Sequence, residues 1–318
     1  MPQSIKRVLI FFVLIIVGAF LSFNAYTLST GQCIPQSITR MSAAQDSAAM
    51  QTFYAGYILP NFGAPIIEIR ADTLGQPLSQ DAVTARYGKP SVRLAQGDSV
   101  AFTLTVPANG DYTFAFDAAV PDESAVPEAQ LTLDGGFPID DLRRFIVPMF
   151  YRNSSVTFPA DRYGNDALIP QVRDVRWATT PIRDVNFSQP YPLRATLSAG
   201  THDVVLTLTQ GELYLGSFYA IPFTPYPSYE SYLAQQHTPD VTNFSLTVEA
   251  EMPTYKNETS VRPASSRSLT VTPYDTYCLL LNMLGGDSWI KSGSTVYYQI
   301  DVPQDGLYSI SLRALQNT

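Results

Sequence analysis

The sequence predicts an all-β protein made of two copies of one sandwich-like β module, the second copy incomplete. Three observations predict it. The apolar ladder of Gly97–Phe116 recurs at Gly293–Leu312, with every apolar position kept at a constant offset of 196 residues. Within each ladder, apolar and mostly polar residues alternate with period two around a Pro-x-x-Gly turn, Pro107–Gly110 and Pro303–Gly306. That is the pattern of two antiparallel strands with one buried face. The composition agrees, because 24 Pro, 18 Gly, 19 Tyr and 17 Phe favour many short strands joined by sharp turns. A repeat of this length is a duplicated domain rather than a solenoid unit, since each copy is long enough to close its own core.

At 318 residues, 45% hydrophobic and 15% charged, the chain is globular and of a length for about two domains. A net charge of −8, with no basic run longer than Arg143-Arg144, lacks the electrostatic footprint of a nucleic-acid binder. Nucleic acid is therefore not an expected partner.

Along the chain, residues 1–32 read as a signal peptide or membrane anchor. Lys6-Arg7 precede Val8–Leu28, 21 uncharged residues, enough to span a bilayer as a transmembrane helix. This helix would be the membrane contact and would send the remainder outside the cytoplasm, anchored to the cell membrane or secreted. Residues 33–63 form a juxtamembrane spacer, helical in part, with Met41, Ala44, Ala48 and Phe53 at helical spacing before Pro60. The first sandwich spans 64–223. It opens at Ile66–Ile69 and runs through the first ladder to Gln130–Leu133, ahead of the turn Asp134-Gly-Gly. It then takes in Asp203–Leu208 after Ala199-Gly-Thr-His202, and closes near Ile221. A long strand-poor insertion, Phe137–Arg194, interrupts it, and insertions of that size are where ligand contacts are sought.

Residues 224–243 form a linker with Pro-Tyr punctuation and a short helix at Ser228–Gln236. The second sandwich, 244–318, opens on a strand at Leu246–Glu251 and has no counterpart of Gln130–Leu133 or Asp203–Leu208. Its apolar residues Tyr298, Ile300, Tyr308 and Ile310 would lie open, so the chain is expected to be a fragment or to be completed by a partner. The two cysteines, Cys33 and Cys278, are not expected to pair across so long a separation.

The residues offer little for catalysis. His202 and His237 are the only histidines, and neither belongs to a Gly-x-Ser-x-Gly elbow, a His-Glu-x-x-His run or a metal spacing with cysteine. His202 reads as a surface histidine in a turn. Asp140-Asp141 are adjacent on an extended segment and point apart, unlike the two carboxylates that glycoside hydrolysis sets across a cleft. Sugar binding has better material, since it needs aromatic faces beside acids, amides and arginines. The candidate ligand-binding residues are Asp161, Asn165, Asp166, Trp177 and Asp184 in the insertion, with Trp289 in the second copy. The alternative is that Trp177 packs in the core and the Asp and Asn residues make turns. Glu249 and Glu251 could supply oxygens to a structural Ca²⁺, and no other cofactor is expected.

Several motifs carry a resemblance. In the first copy these are Leu131-Thr-Leu-Asp-Gly-Gly-Phe-Pro138, Tyr163-Gly-Asn-Asp166, Pro170-Gln171, Trp177, Ala199-Gly-Thr-His202 and Leu215-Gly-Ser217. In the second they are Val248-Glu-Ala-Glu251, Leu281-Asn-Met-Leu-Gly-Gly286, Trp289, Gly293, Val302–Tyr308 and Arg313–Asn317. In this order they resemble the N-terminal region of large bacterial ABC-transporter extracellular solute-binding proteins, over roughly residues 67–318. The resemblance implies tandem galactose-binding-like jelly rolls, similar to carbohydrate-binding modules, ahead of an α/β solute-binding domain. It implies capture of a carbohydrate ligand for import, with an ABC-transporter permease as a further partner. The chain departs from that pattern in lacking the rest of the second copy and any solute-binding domain. Two other expectations fit the same residues: a structural or adhesion protein of the cell surface, and an accessory binding region of a surface glycoside hydrolase.

Overall fold

Alternation decides the fold. In the computed structural model, which describes residues 66–77, 90–189, 191–225, 227–235 and 239–315, the first ladder is buried at every second residue, Val100, Phe102, Leu104 and Val106. Among the described residues twelve strands precede the linker: β1 (Ile67–Ile69), β2 (Val92–Ala95), β3 (Ser99–Val106), β4 (Gly110–Ala119), β5 (Glu128–Leu133), β6 (Phe145–Ile146), β7 (Tyr151–Asn153), β8 (Gln171–Arg173), β9 (Ala178–Pro181), β10 (Arg194–Leu197), β11 (Gly200–Gln210) and β12 (Glu212–Pro222).

One sheet runs β1-β12-β4-β10, with β2 also on β12 and β9 also on β4; the other runs β3-β11-β5-β6. They close over one core. Phe114, Phe116, Leu213, Leu215 and Phe218 of the first sheet meet Val100, Leu104, Leu131 and Leu206 of the second. The rings of Phe102 and Phe218 touch across the sandwich at 4.9 Å between centroids. Each such side chain contributes about 1.5–3 kcal/mol on burial. The turn from β3 to β4 is pinned by Tyr112, whose hydroxyl donates to the Ala108 carbonyl at 2.9 Å. The strands expected at Gln130–Leu133 and Asp203–Leu208 are the cores of β5 and β11.

The insertion differs from its sequence reading. Rather than a free loop it supplies β6 to one sheet and β9 to the other, while β7 and β8 join the second copy. After the linker helix α1 (Tyr229–Gln235), which falls where the sequence places one, come β13 (Tyr255–Lys256), β14 (Pro263–Ala264), β15 (Met283–Leu284) and β16 (Val296–Tyr297). A third sheet, β16-β13-β7-β8, therefore mixes strands from both copies. Tyr255 stacks on Tyr297 at 4.4 Å, and Phe150 sets its edge against both. The Arg176 guanidinium covers the Tyr255 ring at 4.0 Å. Arg176 also pairs with Asp174.

Two expectations are corrected. Leu246–Glu251 is not a strand. Its counterpart β1 is held by β12, Ile67 opposite Ala220, and among the described residues the second copy has no strand in that place. Cys278 is disulfide-bonded, against the expectation that the two cysteines stay apart. Sequence separation is a weak obstacle, because loop-closure entropy grows only with the logarithm of loop length. Cys33, the anchor segment Val8–Leu28 and the spacer 33–63 lie outside the described residues. Among the described residues no helix is long and apolar enough to cross a membrane.

Candidate functional site

β4 carries a charge where its pattern calls for small or apolar residues. Phe114, Phe116 and Ala118 point into the sandwich, and Thr113, Ala115, Asp117 and Ala119 occupy the other face of the same strand. Asp117 is 1% exposed. Register explains what surrounds it: Thr179 of β9 lies opposite Asp117, Tyr219 of β12 lies opposite Ala115, and Glu68 of β1 lies opposite Tyr219. The Thr179 hydroxyl donates to Asp117 Oδ1 at 2.6 Å and the Tyr219 hydroxyl to Oδ2 at 3.1 Å. Beside them the Ser217 hydroxyl donates to Glu68 Oε1 at 2.7 Å. Further along the same face Thr196 donates to Asp111 Oδ1 at 2.5 Å.

Five strands, β1, β4, β9, β10 and β12, thus present a row of hydroxyl–carboxylate pairs with one aromatic ring among them. Burial, and then the negative charge of Asp117, pushes the Tyr219 hydroxyl well above its ordinary range, so the phenol stays protonated and donates. The pairing of β12 with β4 shifts register between Leu215 and Phe218, and a Cβ on Gly216 would sit 2.9 Å from the Asp117 Cβ. Glycine lets the bulged strand close onto the carboxylate. Such a face is preorganised: rigid strands fix the groups, and Glu68, Ser217 and Tyr219 keep surface in solvent. It can offer carboxylate oxygens, hydroxyls and a ring edge to a polyhydroxyl ligand.

The residues singled out from the sequence lie elsewhere. Asp161 caps its own turn, Oδ1 accepting from the backbone N–H groups of Tyr163 and Asn165 and Oδ2 from the Asn165 amide. Those bonds hold its carboxyl below the usual range. The Asn165 side-chain carbonyl accepts from the Leu279 N–H at 2.9 Å, and Asp166 Oδ2 accepts from the Leu281 N–H at 2.9 Å. Asn165 and Asp166 thus fasten the insertion to the second copy. Asp184 is buried and caps a turn through the N–H and hydroxyl of Ser188. Trp177, 8% exposed, packs with Ala119 and Tyr214 beside the candidate face.

Trp289, 41% exposed, lies over Gly285, whose missing Cβ leaves room for the indole. Glu249 is half-buried and Glu251 fully buried; burial first, and then Glu251, raises the Tyr298 hydroxyl above its ordinary range. Among the described residues no group of three or more His, Cys, Asp or Glu side chains is placed to hold a metal ion. Of the histidines, His202 is held between Asp134 and Ser198, and His237 lies outside the described residues.

Sequence reasoning passed over Glu68, Asp117, Thr179, Ser217 and Tyr219. One signal was legible: Asp117 is the single charge in the run Tyr112-Thr-Phe-Ala-Phe-Asp-Ala-Ala119. A carboxylate inside a strand this apolar needs partners of its own.

No family model matches the chain, and no curated protein matches it. Among solved structures it is similar to the CBM36-1 domain of a multidomain xylanase from the hindgut metagenome of Trinervitermes trinervoides, at 13% identity and a TM-score of 0.30, over 51% of this chain and 100% of that one. It is similar to a family 35 carbohydrate binding module from Clostridium thermocellum, at 13% identity and a TM-score of 0.30, over 50% of this chain and 100% of that one. A third is the C-terminal CBM6 of LamC from Zobellia galactanivorans, at 12% identity and a TM-score of 0.29, over 49% of this chain and 99% of that one. Likenesses this distant carry no property over to the chain.

Proposed function

We propose that the first sandwich binds carbohydrate, without chemistry, on the face that carries Glu68, Asp117, Thr179, Ser217 and Tyr219. The single observation behind this is the row of hydroxyl–carboxylate pairs on neighbouring strands, with a ring among them. Sugars are gripped by such acceptors and donors once their positions are fixed in advance. The chain's own residues bind and orient the ligand. Trp289 extends the proposal to the second copy as an exposed stacking surface, and Trp177 supports the face from beside it.

The test is a titration of the full chain against a panel of oligosaccharides by calorimetry. Glu68→Gln and Tyr219→Phe are each expected to weaken binding about tenfold, the equivalent of about 1.4 kcal/mol, Glu68→Gln with the unfolding midpoint unchanged and Tyr219→Phe with a lowered one, since the buried Asp117 loses a donor. Affinity kept in both variants would remove the site assignment, and no binding to any glycan would remove the function.

We further infer, on the resemblance alone, that the chain works outside the cytoplasm. There it would be tethered through Val8–Leu28 and would serve a solute-binding protein that delivers carbohydrate to an ABC-transporter permease. A spacer or adhesion role is the rival reading. It is favoured by the use of Asn165 and Asp166 as intrachain fasteners, and a blank glycan titration would select it.

A further inference from the structure

The ladder residues that close the first sandwich are open in the second copy. At the offset of 196 residues, Phe114 and Phe116 correspond to Ile310 and Leu312. The first pair is 0% exposed, whereas Ile310 is 83% and Leu312 90% exposed. Ile300 and Val302, which correspond to the buried Leu104 and Val106, are exposed too. Yet the turn between the two arms is already built. The Tyr308 hydroxyl donates to the Gln304 carbonyl at 2.6 Å, repeating the bond of Tyr112 to Ala108. The linker holds that turn in place: Val241 N–H donates to the Leu307 carbonyl and Leu307 N–H to the Pro239 carbonyl, each at 3.1 Å, and the Phe244 ring meets Tyr308 edge-on at 5.7 Å. One edge of β16 is taken by β13, with Tyr255 opposite Tyr297.

We propose that Val296–Leu312 is an acceptor surface for an antiparallel strand pair with the alternating apolar pattern of β11 and β12. The first copy says what covers such a ladder. There β11 lies on β3 with Val204 opposite Phe102 and Leu206 opposite Val100, and β12 lies on β4 with Phe218 opposite Phe116 and Ala220 opposite Phe114. At the same offset, the incoming pair sets one strand beside Val296 and Tyr298 and the other beside Ile310 and Leu312. Strand addition suits the site, because an unpaired arm presents backbone N–H and C=O groups as well as side chains. A second copy of this chain is a poor occupant. Its own Leu206, Leu208, Leu213 and Phe218 are buried in its sandwich, so it has no strand of this pattern to give.

The test uses the full chain and a synthetic peptide of residues 200–222 as the probe, read by amide hydrogen exchange over 298–315. The peptide is expected to slow exchange at least tenfold there. A control peptide carrying Leu206→Asp and Phe218→Asp should give no protection. Ile310→Lys should abolish the effect without moving the unfolding midpoint of the first sandwich, since Ile310 lies in solvent. The proposal is overturned if the peptide gives no protection or if the control protects equally. It is also overturned if the chain alone gains the protection as its concentration rises, because a second copy is then the occupant.

Discussion

Both ring nitrogens of His202 face acceptors, Nδ1 at 2.7 Å from Asp134 Oδ2 and Nε2 at 2.9 Å from the Ser198 carbonyl. A neutral imidazole can donate from only one nitrogen, so the site suits the imidazolium. The Ser198 carbonyl first, then Asp134, raises the His202 pKa, and His202 in turn lowers that of Asp134. The histidine's contribution is complete below its unfolded pKa, about 6.5, and fades as pH rises through the raised folded value. The carboxylate's contribution is present above its unfolded pKa and is lost as pH falls through the depressed folded one. The pair therefore stabilises most in the acid range between the two. Against His202→Gln, the wild-type chain should lead in urea midpoint near pH 5–6 and lose that lead by pH 9. A midpoint difference that is flat with pH would refute it. The sequence suggested a surface histidine in a turn, whereas His202 lies buried near the start of β11, and its carboxylate partner, on the turn after β5, is brought to it only through the pairing of β5 with β11.

At the scale of elements, matched positions of the two ladders should behave oppositely. Phe116→Ala should cost about 3–5 kcal/mol in denaturant unfolding, since it empties a packed core, while Leu312→Ala should stay within about 0.5 kcal/mol. Equal losses would mean that the second ladder is packed after all. β3, β4, β5 and β11 were all legible in the sequence, because period-two burial writes one face of a strand directly into residue type. The second ladder carries the same apolar pattern, yet among the described residues only Val296–Tyr297 of it pairs as a strand. Alternation records which residues would be buried, and the strand itself needs a neighbour to bond. The candidate face was hidden for the complementary reason. Glu68, Asp117, Thr179 and Ser217 look like ordinary polar residues, and only the register of β1, β12, β4 and β9 brings them side by side.

Across the whole molecule, the insertion and the second copy are one body. Asn165 and Asp166 bind the Leu279 and Leu281 amides, β7 pairs with β13, and Phe150 packs between Tyr255 and Tyr297. Asp166→Ala should speed amide exchange at Leu281 about tenfold, with no change in the unfolding midpoint of the first sandwich. Unchanged exchange there would show that the side chain does not fasten the seam. This seam also alters how the chain bears force. When residues on either side of the linker are pulled apart, tension runs through the bonds that join Tyr151 to Lys256 and Asp166 to Leu281. Those bonds lie in parallel with the covalent chain, so the seam shares a load that the linker would otherwise carry alone.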